Sequence, residues 1–196
     1  MGSSGSRPRR STDIPNRPEQ DTINSEGPLT VQQKTYIRDT WALLYDKPNR
    51  TKLGVDIFVC FFTTHPDYKK SFRSFRDDDD IQALAKTPKL KAHAFRVLST
   101  LNDLLEQLDD PDVFVVMLKN LARTHNDRHV AKETFKDLGP VLLTTFANHI
   151  GDRFTKKASD AWLAAYTFIV QSVMEEYDAI NGEGGSMGSE GSSPEK

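Results

Sequence analysis

The sequence predicts an all-α domain. Apolar residues recur at three- and four-residue steps along most of the 196-residue chain, which is the spacing of a helix face. No segment sustains the two-residue alternation of a half-buried strand. Residues that start and stop helices bracket the periodic segments, giving seven or eight helices with short joins.

Residues 1–27 hold Ser, Arg, Pro, Asn and Gly with almost no apolar residue, and residues 181–196 are rich in Gly and Ser. Neither stretch can bury enough apolar surface to offset the entropy of ordering. Both read as disordered tails around a domain at 28–180, which is long enough for a sizeable core. Thr30-Val31-Gln32-Gln33 is a capping-box signature. It opens a helix with Tyr36, Ile37, Trp41, Leu44 and Tyr45 at helical spacing. Asn49-Arg50-Thr51 marks a break. The next helix is expected at 55–63, with Val55, Phe58, Val59 and Phe62 on one face, ended by His65-Pro66. Tyr68, Phe72 and Phe75 fall in a short connection. Asp77 to Asp80 lack the glycine and spaced ligands of a calcium loop, so they read as a solvated loop.

Thr87-Pro88 suits a helix start, with Thr as N-cap and Pro at the first position. Leu90, Val97, Leu98, Leu101, Leu104, Leu105 and Leu108 share one face, and His93 lies on it, one turn before Val97. Asp109-Asp110-Pro111 ends that helix. Phe114, Leu118, Leu121 and Ala122 form the next stripe. His125, four residues beyond Leu121, also faces inward. Phe135, Leu138, Leu142, Leu143, Phe146 and Ile150 mark another helix, which Gly139-Pro140 should interrupt or kink and Gly151 should end. Thr155 caps a last long helix striped by Trp162, Ala165, Tyr166, Ile169, Val170, Val173 and Met174.

A net charge of −2 gives no reason to expect a nucleic-acid partner. The single cysteine, Cys60, excludes an intramolecular disulfide and fits a reducing, cytoplasmic compartment, where it reads as an inert buried thiol. The longest apolar runs, such as 57–62, are too short to span a bilayer, and there is no apolar secretory signal. Met1-Gly2-Ser3-Ser4-Gly5-Ser6 fits the N-myristoylation pattern, and Arg7, Arg9 and Arg10 could add a basic second signal for membrane association. A plain disordered tail or a Gly/Ser leader of artificial origin fits the same residues.

A histidine on an apolar face is ordinarily a core residue with one satisfied hydrogen bond. Two of them, on neighbouring helices, point further. A planar iron porphyrin needs two apolar walls and at least one neutral imidazole on its axis. The segments around His93 and His125 can supply both, and Phe58, Phe62, Phe72 and Phe75 can close the side, although ordinary core packing also suits those rings. Zinc is the competing metal. His125 and His129 are four apart, but Asn126 stands where a glutamate would follow, and there are no partner cysteines. His65 and His149 lie near helix ends. No nucleophile motif, phosphate loop or dinucleotide fingerprint is present.

From about Leu29 to Tyr177 the chain resembles the globin family. Leu29-Thr30 before Trp41 is similar to the start of the first globin helix. Phe62-Thr-Thr-His65-Pro66 is similar to the end of the second. Phe72 falls where globins pack a phenylalanine on the haem, and Phe75 at the second aromatic of that corner. His93-Ala-Phe-Arg96-Val97 resembles the distal turn, and Leu121-Ala-Arg-Thr-His125 the proximal one. Within the family, the 32-residue histidine spacing, Arg96 three after His93, and the stretch from Phe154-Thr155 through Trp162 are similar to the neuroglobin and globin X types.

The resemblance implies a globin fold binding haem b (iron protoporphyrin IX). His125 would be the proximal iron ligand and His93 the distal ligand or gate, in a bis-histidine, hexacoordinate resting state. Phe58 and Val97 would set ligand access, Leu121 would line the proximal side, and Arg96 and His129 would neutralise propionates. Dioxygen, nitric oxide and carbon monoxide are the implied ligands, for sensing, storage or electron transfer, with no catalytic residue assigned. The alternatives are a nitric oxide dioxygenase or nitrite reductase served by an external reductase, a classical oxygen carrier, or a haem-free helical interaction domain. Some globin X proteins are acylated, which favours lipid on Gly2. The cysteine pair of some neuroglobins is missing, and Pro140 departs from the pattern.

Overall fold

The computed structural model describes residues 27–45, 50–72 and 80–183, and every regular element among them is helical. Gly2 with its arginines, Phe75, Asp77 to Asp79 and residues 184–196 lie outside the described residues. The elements are α1 (Val31–Leu44), α2 (Arg50–Thr64), a 3₁₀ segment (Pro66–Ser71), α3 (Ile81–Lys86), α4 (Pro88–Glu106), α5 (Pro111–Asn126), α6 (Glu133–Ile150), a short 3₁₀ turn (Gly151–Arg153) and α7 (Lys156–Glu183). The last helix runs three residues past the boundary expected at 180.

Capping chemistry sets most of these starts. The Thr30 hydroxyl accepts from the Gln33 amide, while the Gln33 side chain accepts from the Thr30 amide at 2.8 Å. Thr87 serves two helices. Its hydroxyl donates to the Leu84 carbonyl at the end of α3 and accepts from the Leu90 amide at the start of α4. Asp110 caps α5 through the Val113 amide, and Thr155 accepts from the Ala158 amide of α7. Gly151 closes α6 at φ 55°, in the left-handed region where a side chain would be strained.

Three expectations change. First, α2 begins at Arg50, and its buried residues are Leu53, Gly54, Ile57, Phe58, Phe61 and Phe62, while Val55 and Val59 are only half-buried. The helix is apolar on more than one side, because it packs on both α4 and α6. Second, Asp80 is more than part of a solvated run, because its carboxylate caps α3 through the amides of Gln82 and Ala83. Third, α6 runs unbroken through Pro140. Pro140 and Lys136 are both exposed, so the Lys136 carbonyl that loses its helical donor can be met by water.

The core divides in two. Around Trp41, Phe146 and Trp162, α1 and α6 pack against α7, with ring centroids 5.0 to 6.2 Å apart. Both indoles are satisfied, Trp162 by Thr40 and Trp41 by Asn102. The second cluster joins Phe58, Phe61, Phe62, Leu84, Leu90, Ala94 and Val141, and it fastens α2, α3, α4 and α6 together.

The α2–α4 crossing depends on Gly54. A Cβ there would sit 2.9 Å from the Ala94 Cβ and 3.1 Å from the Ala94 carbonyl oxygen. Neither atom can swing away, so the helices would have to separate. Gly54→Ala is therefore expected to destabilise the protein by about 1–3 kcal/mol. A urea denaturation midpoint matching the wild type would show that the crossing has slack.

Candidate functional site

His93 lies on α4 one residue before the buried Ala94 and is half-buried. The Phe58 ring meets its imidazole edge-on at 4.8 Å, and Phe72 does so at 5.2 Å. Phe58 is buried, while Phe72 and Val97 are half-buried against the same cluster. The expected distal residues Phe58, Phe72, His93 and Val97 therefore come together. Arg96 is exposed on the flank of α4, close enough for its charge to act on His93.

His125 lies in the last turn of α5. Its Nδ1 is 2.8 Å from the Leu121 carbonyl oxygen. A carbonyl only accepts, so Nδ1 carries the proton and Nε2 keeps its lone pair. Leu121 contributes this orienting oxygen four residues back, in addition to its half-buried side chain. Phe135 of α6 meets the His125 ring at 4.9 Å, a contact the sequence reading missed because Phe135 looked like ordinary stripe. His129 lies beyond the end of α5, exposed, with φ 57°. The helical i, i+4 geometry needed for a His125–His129 zinc pair is thus not formed. Among the described residues, no group of three or more His, Cys, Asp or Glu is placed to hold a metal ion.

Both imidazoles are held neutral. Burial pushes His93 down to about 4, aided by the charges of Arg96 and His125, so the two rings lie within electrostatic reach of each other. Burial also lowers His125, against the opposing bond to Leu121, and the charge of Arg128 adds to the lowering. The sign for stability follows. Below 6.5 the unfolded chain takes up protons that native His93 refuses. Stability of the cofactor-free protein should fall between about pH 6.5 and about pH 4, by about 3 kcal/mol for His93. Urea unfolding of wild type and His93→Leu across that window tests this, and an equally steep fall in the variant would remove His93 as the cause.

Of the two histidine-bearing helices, α4 packs on α2 and α5 packs on α7, but α4 and α5 do not form a closely packed pair. One inward imidazole on each of two consecutive helices, within this order and packing of elements, defines a globin fold.

Comparison with known proteins agrees. A family model described as Globin matches residues 55–173. The chain is 30% identical over 163 residues to Cytoglobin-1 of Oryzias latipes, covering 83% of this chain and 91% of that protein. It is 32% identical over 136 residues to Cytoglobin-2 of Danio rerio, covering 69% and 75%. A Globin of Buccinum undatum is 33% identical over 145 residues, covering 74% and 98%. The chain belongs to the globin family, close to the cytoglobin and neuroglobin type.

The residues present fit the haem that this family implies. The donors are two neutral imidazoles, one with its second nitrogen already oriented by a carbonyl, and aromatic rings flank each of them.

Proposed function

We propose that the chain binds haem b between α4 and α5, with His125 as proximal and His93 as distal ligand, and that it binds dioxygen, nitric oxide or carbon monoxide reversibly. Sensing, storage or electron transfer are the roles this chemistry suits. The observation that carries the reading is the Nδ1–Leu121 hydrogen bond, which presents the Nε2 lone pair of a neutral His125. Haem, when bound, would supply an iron centre for reversible gas binding, and His125 and His93 are the residues that would hold it. The protein residues do the rest. Leu121 fixes the tautomer and direction of His125. Phe58, Phe72 and Val97 keep the distal side apolar, which holds water off and keeps His93 neutral. His93 either occupies the distal position or swings aside and donates a hydrogen bond to the incoming ligand. Arg96 and His129 are exposed, where the Arg96 guanidinium and an N–H donor of His129 would suit propionates.

The absorption spectrum of the purified chain tests this. A haem band with a low-spin, six-coordinate pattern is expected, and a spectrum without haem after reconstitution would defeat the reading.

Among the described residues, no helix is long and apolar enough to cross a membrane. Cytoplasmic residence with attachment through acylated Gly2 is the matching proposal. Gly2→Ala should move protein from the membrane to the soluble fraction of cells. A free amino terminus in the mass spectrum of protein from its native cells would end the idea.

A further inference from the structure

We infer that Glu176 is a positioning residue for His125: its buried carboxylate ties α5 to α7 and so sets how far the imidazole reaches toward α4. The inference rests on the reading of His125 as the proximal ligand.

Glu176 is only 7% exposed, and a carboxylate is rarely buried that far unless it is paired. Its Oε1 accepts from Arg123 Nε at 2.7 Å and lies 2.6 Å from Arg123 Nη2, and Lys119 Nζ stands 3.7 Å from Oε2. Both cations are largely exposed and belong to α5, one helical turn apart. Arg123 precedes His125 by two residues, so the anchor acts on the turn that carries the ligand.

The placing of α5 makes this anchor matter. Among the described residues, α7 is the helix that packs most closely on α5. The apolar part of that contact, with Phe114 stacked on Phe168 at 5.9 Å, is non-directional and tolerates small slides along the helix axis. A charge-assisted hydrogen bond is directional and does not. The next two residues of α7 continue the hold. The Tyr177 hydroxyl donates to the Val130 carbonyl at 3.0 Å, and Asp178 pairs with Lys132. Residues 176, 177 and 178 thus grip the ligand-bearing turn and the segment that follows it. A pair of one buried carboxylate with exposed cations adds little net stability, because desolvation of the carboxylate and solvent screening of the cations offset the Coulomb gain. Register is what Glu176 contributes.

The test uses the haem-loaded full chain in a His93→Leu background, where His125 is the one protein ligand and its bond to iron can be read by resonance Raman. Glu176→Gln, Glu176→Ala and Arg123→Ala are compared with that background. The iron–histidine stretch should shift in each. Haem transfer to an acceptor apoprotein should quicken roughly 10-fold, with the cofactor-free unfolding midpoint of Glu176→Gln close to its parent. An unchanged stretch in Glu176→Gln and Arg123→Ala would overturn the inference, even if Glu176→Ala fails to fold. A background protein that takes up no haem would instead defeat the functional reading beneath it.

Discussion

His125→Ala should lose stable haem binding. The substitution removes an imidazole whose Nε2 is freed and aimed by a hydrogen bond from its other nitrogen to Leu121. What remains is apolar contact and His93 on the opposite side. The consequence extends to the whole fold, because a ligand held only by the native state stabilises it. At a thousandfold excess over its dissociation constant that contribution is about 4 kcal/mol. The variant should therefore melt like cofactor-free wild type and regain haem when imidazole is supplied in solution. Full haem content with an unchanged spectrum would remove His125 from its role.

The second large effect is expected from His93→Leu. If His93 occupies the distal position in the resting protein, an external ligand enters only in molecules where it has swung away. With an open fraction of roughly 1–10%, the observed affinity is lowered by roughly 10- to 100-fold, and the leucine variant recovers that factor. Carbon monoxide should rebind after flash photolysis in one fast phase, without the slow phase set by imidazole release. Dioxygen should show the opposite sign in its dissociation. Phe58 and Val97 carry no donor, so the hydrogen bond lost with His93 has no replacement, and release should quicken roughly 10-fold. A five-coordinate, high-spin ferrous spectrum in the wild type would defeat bis-histidine ligation and leave the family assignment standing.

Local chemistry made much of this legible. Thr30, Thr87-Pro88 and Thr155 cap helices with side chains that bond only three residues away, so neighbours in sequence suffice to read them. Asp110-Pro111 reads as the end of one helix, and its carboxylate also caps the next. His93 and His125 could be turned inward from helical phase alone. The start of α2 lies earlier than expected because Asn49-Arg50-Thr51 reads as a polar break, whereas Arg50 and Thr51 already belong to the helix. The six residues of α3 were too few to show a period. The buried sides of α2 were misjudged because the helix is apolar on several sides, and only its partners α4 and α6 decide between them. The same limit applies within the site. Phe135 against His125 and Glu176 beneath Arg123 are contacts between different helices, and no periodicity marks either one. Phe75 lies outside the described residues, and its part in the distal side stays an expectation.

The Gly54–Ala94 contact also acts as a fulcrum. A rod pinned near one point can tilt, and its ends then sweep far while the pinned point stays still. His93 is one residue from that point, about 1.5 Å along the axis. Any rocking of α4 about this point would be felt at the helix ends, where Leu104 and Leu105 are packed in the core, and would barely move the His93 backbone. If His93 holds the distal position, its imidazole should leave or return by rotating its own side-chain torsions. That motion belongs to a rotamer change rather than to a helix shift, and ligand gating here should respond to crowding by Phe58 and Phe72 more than to any strain applied at the ends of the helix. A spin label at an exposed end of α4 whose distance to α7 changes when carbon monoxide binds would argue against gating by side-chain rotation alone.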